Sequence, residues 1–146
     1  MYDTILVPFD GSDEAQAGAE HAISLASEVG ATLHVLYVID LPGAPRTVYL
    51  RDDEEEIREE YRKYGEDVTS GVCEAAESEG VGCETAIRTG SIHEEVADYA
   101  EDSDLDLIVL GTGYRGAIGA ILGGKAEKIV RTSTVPVTTV RQQMDD

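Results

Sequence analysis

The residues of this chain whose types and spacing could do chemistry lie in two places. Gly111, Gly113, Gly123 and Gly124 punctuate a short stretch after an apolar run, with Arg115 inside it and Lys125 directly after it. Glycine lacks a Cβ, so a backbone rich in it can approach an anion closely, and positive φ can aim successive N–H groups at one oxygen cluster. Lys125 falls at the start of the helix expected next, where the dipole disfavours a cation. The chain holds only three lysines, Lys63, Lys125 and Lys128. A local rule broken beside a suspected anion site marks Lys125, and Arg115 with it, as candidate phosphate contacts. The plainer reading is that the glycines make two tight turns and that both cations face water or neighbouring carboxylates. Tyr114, at the root of the stretch, could stack on a base or cover a pocket, and reads foremost as a packing residue. The second place is Pro8-Phe9-Asp10-Gly11-Ser12, where the first apolar run, Thr4 to Val7, ends in a turn.

Other chemistries find little footing. His21, His34 and His93 are scattered through different segments and read as structural. Cys73 and Cys83 lack the close spacing of a zinc or thiol redox pair, and read as small buried hydrophobes. The acidic run Asp52 to Glu56 suits the first turn of a solvated helix better than a metal site. The sequence carries no GxxxxGK[ST] P-loop and no recognisable base for activating water, so efficient nucleotide hydrolysis has no visible machinery and at most slow turnover is expected.

Thirty acidic residues against 11 basic ones give a net charge of −19. Binding to a phosphate backbone rests on Lys and Arg, so this balance excludes nucleic acid and anionic membrane as partners. The self-repulsion is screened within ~3 Å in 1 M salt, which, with the scarcity of lysine, points to a halophile's cytoplasm. No apolar run approaches the roughly 18–20 residues of a membrane span. The N-terminus enters Thr4-Ile5-Leu6-Val7 without a secretory flank, so a cytoplasmic location is expected.

The elements that must hold these residues follow from periodicity. The continuous apolar run Thr4 to Val7, the apolar-rich runs Thr32 to Ile39, Leu105 to Leu110 and Val135 to Val140, and an alternating run from Cys83 near an edge predict five strands. Between them, spacings of three and four predict helices after Ser12 or Asp13, from Asp52 to about Glu79, after Ser91 with a capping box to Glu94, and over Ala126 to Arg131. Ile57, Tyr61, Tyr64, Val68, Val72 and Ala75 mark the apolar face of the long helix, and Asp40 to Val48 reads as a loop. Strands alternating with helices mean a parallel sheet covered on both faces, in one domain over residues 1–146.

Leu6-Val7-Pro8-Phe9-Asp10-Gly11-Ser12, Leu33-His34-Val35, Asp106 to Gly113 and Gly123 to Val130 together resemble the universal stress protein family over essentially the whole chain. The resemblance implies a Rossmann-like doubly wound α/β sheet ordered 3-2-1-4-5. It also implies ATP, with Mg or Mn accompanying it, at the switch point between strands one and four, where open parallel sheets bind ligands. By this resemblance Asp10 sits by the ribose or adenine, Val35 offers backbone contact to the adenine, Pro8 lines the pocket, and Gly111, Gly113, Gly123 and Gly124 wrap the phosphates. A homodimer through Val135 to Val140 is implied as well, and Pro136 fits an edge strand.

Nucleotide-binding members carry glycine, two residues, glycine, nine residues, glycine, then Ser or Thr. With Gly113 as the second glycine, Gly111 precedes it by one residue rather than two, and Gly124 stands in place of the hydroxyl. A lost hydrogen bond to a charged group is worth ~1.5–3 kcal/mol, roughly tenfold or more in affinity. Two functions therefore stand: a stress-response module regulated by bound ATP, and a member without ATP that works as a dimeric interaction module or holds another small ligand.

Overall fold

A computed structural model describes residues 1–40, 52–113 and 124–142. Strands β1 (Thr4–Pro8), β2 (Thr32–Ile39), β3 (Cys83–Thr89), β4 (Leu107–Thr112) and β5 (Val137–Arg141) alternate with helices α1 (Asp13–Val29), α2 (Asp52–Ser78), α3 (Ile92–Asp102) and α4 (Gly124–Thr132). The strands form one parallel sheet in the order β3-β2-β1-β4-β5. This is the doubly wound α/β fold that the alternation and the resemblance predict.

Strand alternation sends successive side chains to opposite faces. On one face Ile5, Val7, Leu33, Val35, Leu107 and Val109 pack with α1 and the C-terminal half of α2. On the other, Leu6, Leu36, Ile108 and Leu110 pack with α3 and α4. The inner strands β1, β2 and β4 are mostly apolar because both of their faces are covered. α1 carries alanines and Gly18 on its buried side, so it can lie close to β4. A Cβ at Gly18 would stand 2.7 Å from the Gly111 nitrogen, and a Cβ at Gly111 would collide with the Glu14 carbonyl. Gly111 is thus fixed as glycine by helix-on-strand packing.

Several element boundaries differ from the sequence expectation, each for a local reason. β4 starts two residues later than Leu105, because the Leu105 N–H closes α3 on Ala100 and the Asp106 carboxylate receives the N–H groups of Asp3 and Thr4. β5 starts after Pro136, which has no N–H to give; its carbonyl accepts the Ile108 N–H at 3.0 Å. α4 begins at Gly124, two residues before the expected Ala126. The capping box at α3 does not form: Ser91 is the N-cap, but its hydroxyl lies 3.1 Å from His93 Nδ1 and makes no side-chain cap bond. The loop expected over Asp40 to Val48 lies outside the described residues beyond Asp40.

One expectation is overturned more substantially. Cys73 and Cys83 form a disulfide, with Cα atoms 5.3 Å apart, joining the last turns of α2 to the start of β3. They look isolated in sequence because a separation of ten residues conceals the reversal between helix and strand. The apolar stripe of α2 is only half buried: Val72 is 5% exposed, whereas Ile57, Tyr61 and Tyr64 are 43%, 44% and 46% exposed. The N-terminal half of α2 runs beyond the sheet that its C-terminal half covers.

Candidate functional site

Above the carboxyl ends of β1 and β4, where the connections diverge to opposite sides, lies a cleft of about 440 Å³. That volume is within the range of small-molecule sites, and the position is where open parallel sheets hold ligands. Three stretches of chain furnish most of its walls. The end of β1 and the start of α1 bring Pro8, Phe9, Asp10, Ser12, Glu14 and Ala15; the end of β4 brings Leu110, Gly111, Thr112 and Gly113; the first turns of α4 bring Gly124, Lys125, Ala126 and Ile129. Leu36 and Val38 of β2 and Ile92 of α3 complete an apolar side.

The turn after β1 is held tightly. Asp10 Oδ1 accepts the Ser12 N–H at 2.9 Å, the Ser12 hydroxyl accepts the Ala15 N–H at 3.2 Å as the N-cap of α1, and the Phe9 N–H reaches the Leu36 carbonyl at 2.8 Å. Gly11, at φ +84°, lets the chain reverse between them, a conformation costly for a residue with a Cβ. Asp10 remains exposed at the cleft.

The phosphate-type features sit across from this turn. α4 opens with Gly124, and its first turn directs N–H groups that have no intrahelical partner toward the N-terminal side. Lys125 is exposed, lines the cleft, and makes no ion pair with a described carboxylate. Glu14 is the acidic counterweight. Its carboxylate lies against Gly113, where a Cβ would strike it. The end of the cleft nearest the glycines therefore offers one ammonium, one helix N-terminus and one carboxylate.

Of the residues singled out from sequence, Pro8, Asp10, Gly111, Gly113, Gly124 and Lys125 converge on this cleft. Arg115 and Gly123 lie outside the described residues. Val35 is fully buried among the α1 and α2 contacts and does not line the cleft. Leu36 and Val38 stand there instead, because they share the opposite face of β2 and Val38 lies nearer its carboxyl end. The rule that ligands meet strand ends, applied with strand parity, singles out Val38. None of Gly111, Gly113 and Gly124 takes a positive φ, so their value here is close approach and open space, not left-handed backbone. Glu14 carries no motif, and only its place in the first turn after the switch-point strand could have flagged it. Among the described residues no group of three or more His, Cys, Asp or Glu could hold a metal ion, and no helix is long and apolar enough to cross a membrane.

Comparison with known proteins agrees with this architecture. The model of the Universal stress protein family matches residues 1–141. The universal stress protein MJ0531 of Methanocaldococcus jannaschii is 33% identical over 97% of this chain and 84% of its own length. The structure of the universal stress protein UspA from Lactobacillus plantarum superposes with a TM-score of 0.83 at 28% identity, covering 96% of this chain and 98% of that one. An Arabidopsis thaliana family protein solved with AMP bound shares the fold, with a TM-score of 0.73 at 19% identity over 98% and 94% of the two chains.

Proposed function

The chain belongs to the universal stress protein family, and from that premise we propose that it binds ATP, with a divalent cation, in the switch-point cleft and acts in stress response as a nucleotide-dependent dimeric regulator. The observation that carries this reading is the convergence of Asp10, Gly113, Gly124 and Lys125 on one cleft of nucleotide size. The apolar side made by Leu36, Val38 and Ile92 suits a base, and the exposed Asp10 carboxylate at the cleft suits the hydroxyls of a ribose as an acceptor. The first turn of α4 suits an anion. Mg or Mn would arrive with the phosphates, and Asp10 and Glu14 are the carboxylates at hand. AMP in a protein of the same fold is consistent with an adenine ligand.

Lys125 gains weight from where α4 begins. Gly111 and Gly124 are separated by 12 residues, which equals two plus one plus nine in the family pattern. In this frame the outer glycines are kept, Tyr114 replaces the middle glycine, and Lys125 takes the place of the hydroxyl residue. It then follows Gly124 in the first helical turn as the lysine of a P-loop follows its last glycine, with Ala126 supplying no hydroxyl. A point charge would compensate for the missing Ser or Thr.

β5 is an edge strand, and a symmetric copy would cover it. The proposed homodimer through Val135 to Val140 should give a light-scattering mass of two chains in molar potassium chloride; a mass of one chain there would count against it. For the ligand, calorimetric titration of ATP and magnesium into nucleotide-free protein should show binding that Asp10→Ala weakens about tenfold or more. A folded wild type that gives no heat would favour the second reading, a member without ATP that binds another small ligand or works through its surfaces. The observation in favour of that reading is Glu14, whose carboxylate faces the place where phosphates would lie.

A further inference from the structure

Asp10 is held from outside the cleft as well as from within. Its side chain closes the turn on Ser12, and its carbonyl accepts a hydrogen bond from the Tyr64 hydroxyl of α2 at 3.3 Å. The phenol lies so close over Gly11 that a Cβ there would collide with it. Tyr64 cannot drift far from this position, because α2 is seated beside it. A Cβ at Gly65 would strike the ring of Tyr37, so the helix rests directly on that ring. Tyr37 and Tyr64 meet edge to face, with centroids 5.8 Å apart. One turn on, the buried Thr69 hydroxyl donates to the Gly65 carbonyl at 2.6 Å, a back-bond of the kind that bends helices. The surroundings of Tyr37 are consistent with this packing: burial raises its pKa first, and Tyr64, Tyr61 and Asp10 raise it further.

We propose that Tyr64 is a positioning residue for the ligand site: its hydroxyl and ring clamp the Asp10-Gly11 turn in binding geometry and couple occupancy of the cleft to the seating of α2. The inference rests on the reading of the cleft as a nucleotide site. Tyr64 itself does not line that cleft, so it acts only through Asp10. Coupling of this kind is reciprocal. A ligand on Asp10 steadies the N-terminal half of α2, and whatever engages the half-exposed Ile57, Tyr61 and Tyr64 changes ligand affinity by the same factor.

The test uses the full chain with Tyr64→Phe, which keeps the ring and removes the donor, and Tyr64→Leu, which removes both. In ligand-free protein, NMR should show the Ser12 amide, whose acceptor is the Asp10 carboxylate, exchanging about fivefold faster in Tyr64→Phe and faster still in Tyr64→Leu. Amides of β1 and β4 should be unchanged. Titration with magnesium ATP should show affinity reduced about fivefold by Tyr64→Phe, and no further reduction when it is added to Asp10→Ala. Unchanged Ser12 exchange, or equal losses in the presence and absence of Asp10, would overturn the proposal. If the wild type binds no ATP, the nucleotide reading fails, and the exchange measurement still decides whether Tyr64 holds the turn.

Discussion

At the scale of single residues, the balance of charge in the cleft is the feature with the clearest consequence. Glu14 reaches Gly113 from the first turn of α1, while Lys125 stands at the first turn of α4. Two unit charges 4 Å apart interact by about 1 kcal/mol in water-like surroundings, close to fivefold in affinity. Glu14→Gln should therefore tighten ATP binding by about that factor without divalent cation, and by less when magnesium already neutralises the phosphates. Isothermal titration with and without magnesium checks this. Weaker binding with magnesium would instead make Glu14 a support for the cation. Asp10 and the glycines were legible in the sequence because the turn after the first strand and the stretch after the fourth both break apolar runs. Val38 and Glu14 were not, since an apolar strand residue and an acidic first-turn residue look ordinary until the sheet order shows which end of which strand they occupy.

At the scale of elements, periodicity specified the nine elements of the described residues, because the inner strands are rich in apolar residues and the helices carry stripes at three- and four-residue spacing. β2 was legible from end to end. What periodicity could not convey is how far each stripe finds a partner: α2 is amphipathic along its length, yet only its C-terminal half lies over the sheet. Nor could it pair Cys73 with Cys83, since that needs the turn between α2 and β3. In the chain-entropy account, a crosslink spanning ten residues stabilises by about 2.5–3 kcal/mol. Calorimetric scans with reductant should thus show the melting temperature lowered by roughly 5–10 °C for a chain of this size. The same loss should follow in the double variant Cys73→Ser, Cys83→Ser. ATP affinity should be unchanged, because Cys83 sits at the amino end of β3 and the cleft lies over the carboxyl ends. A melting temperature indifferent to reductant would show that the crosslink does not contribute in solution.

At the scale of the whole molecule, the described helices lie two on each face of the sheet, and the reversal of direction between β1 and β4 opens a cleft on which Asp10, Gly113, Gly124 and Lys125 converge. In a chain with a net charge of −19, a lysine and a helix N-terminus coincide at this cleft among the described residues. The high charge also sets the conditions of any test, since molar salt screens the self-repulsion that would otherwise oppose folding and the approach of an anionic ligand. Occupancy of this cleft by ATP is read most directly from amide chemical-shift mapping of the isotope-labelled protein titrated with magnesium ATP in molar potassium chloride. Saturable shifts are expected at Asp10, Ser12, Gly111, Gly113, Gly124 and Lys125, the residues in and beside the cleft. Shifts confined to another surface, or none at ATP concentrations up to several millimolar, would contradict it.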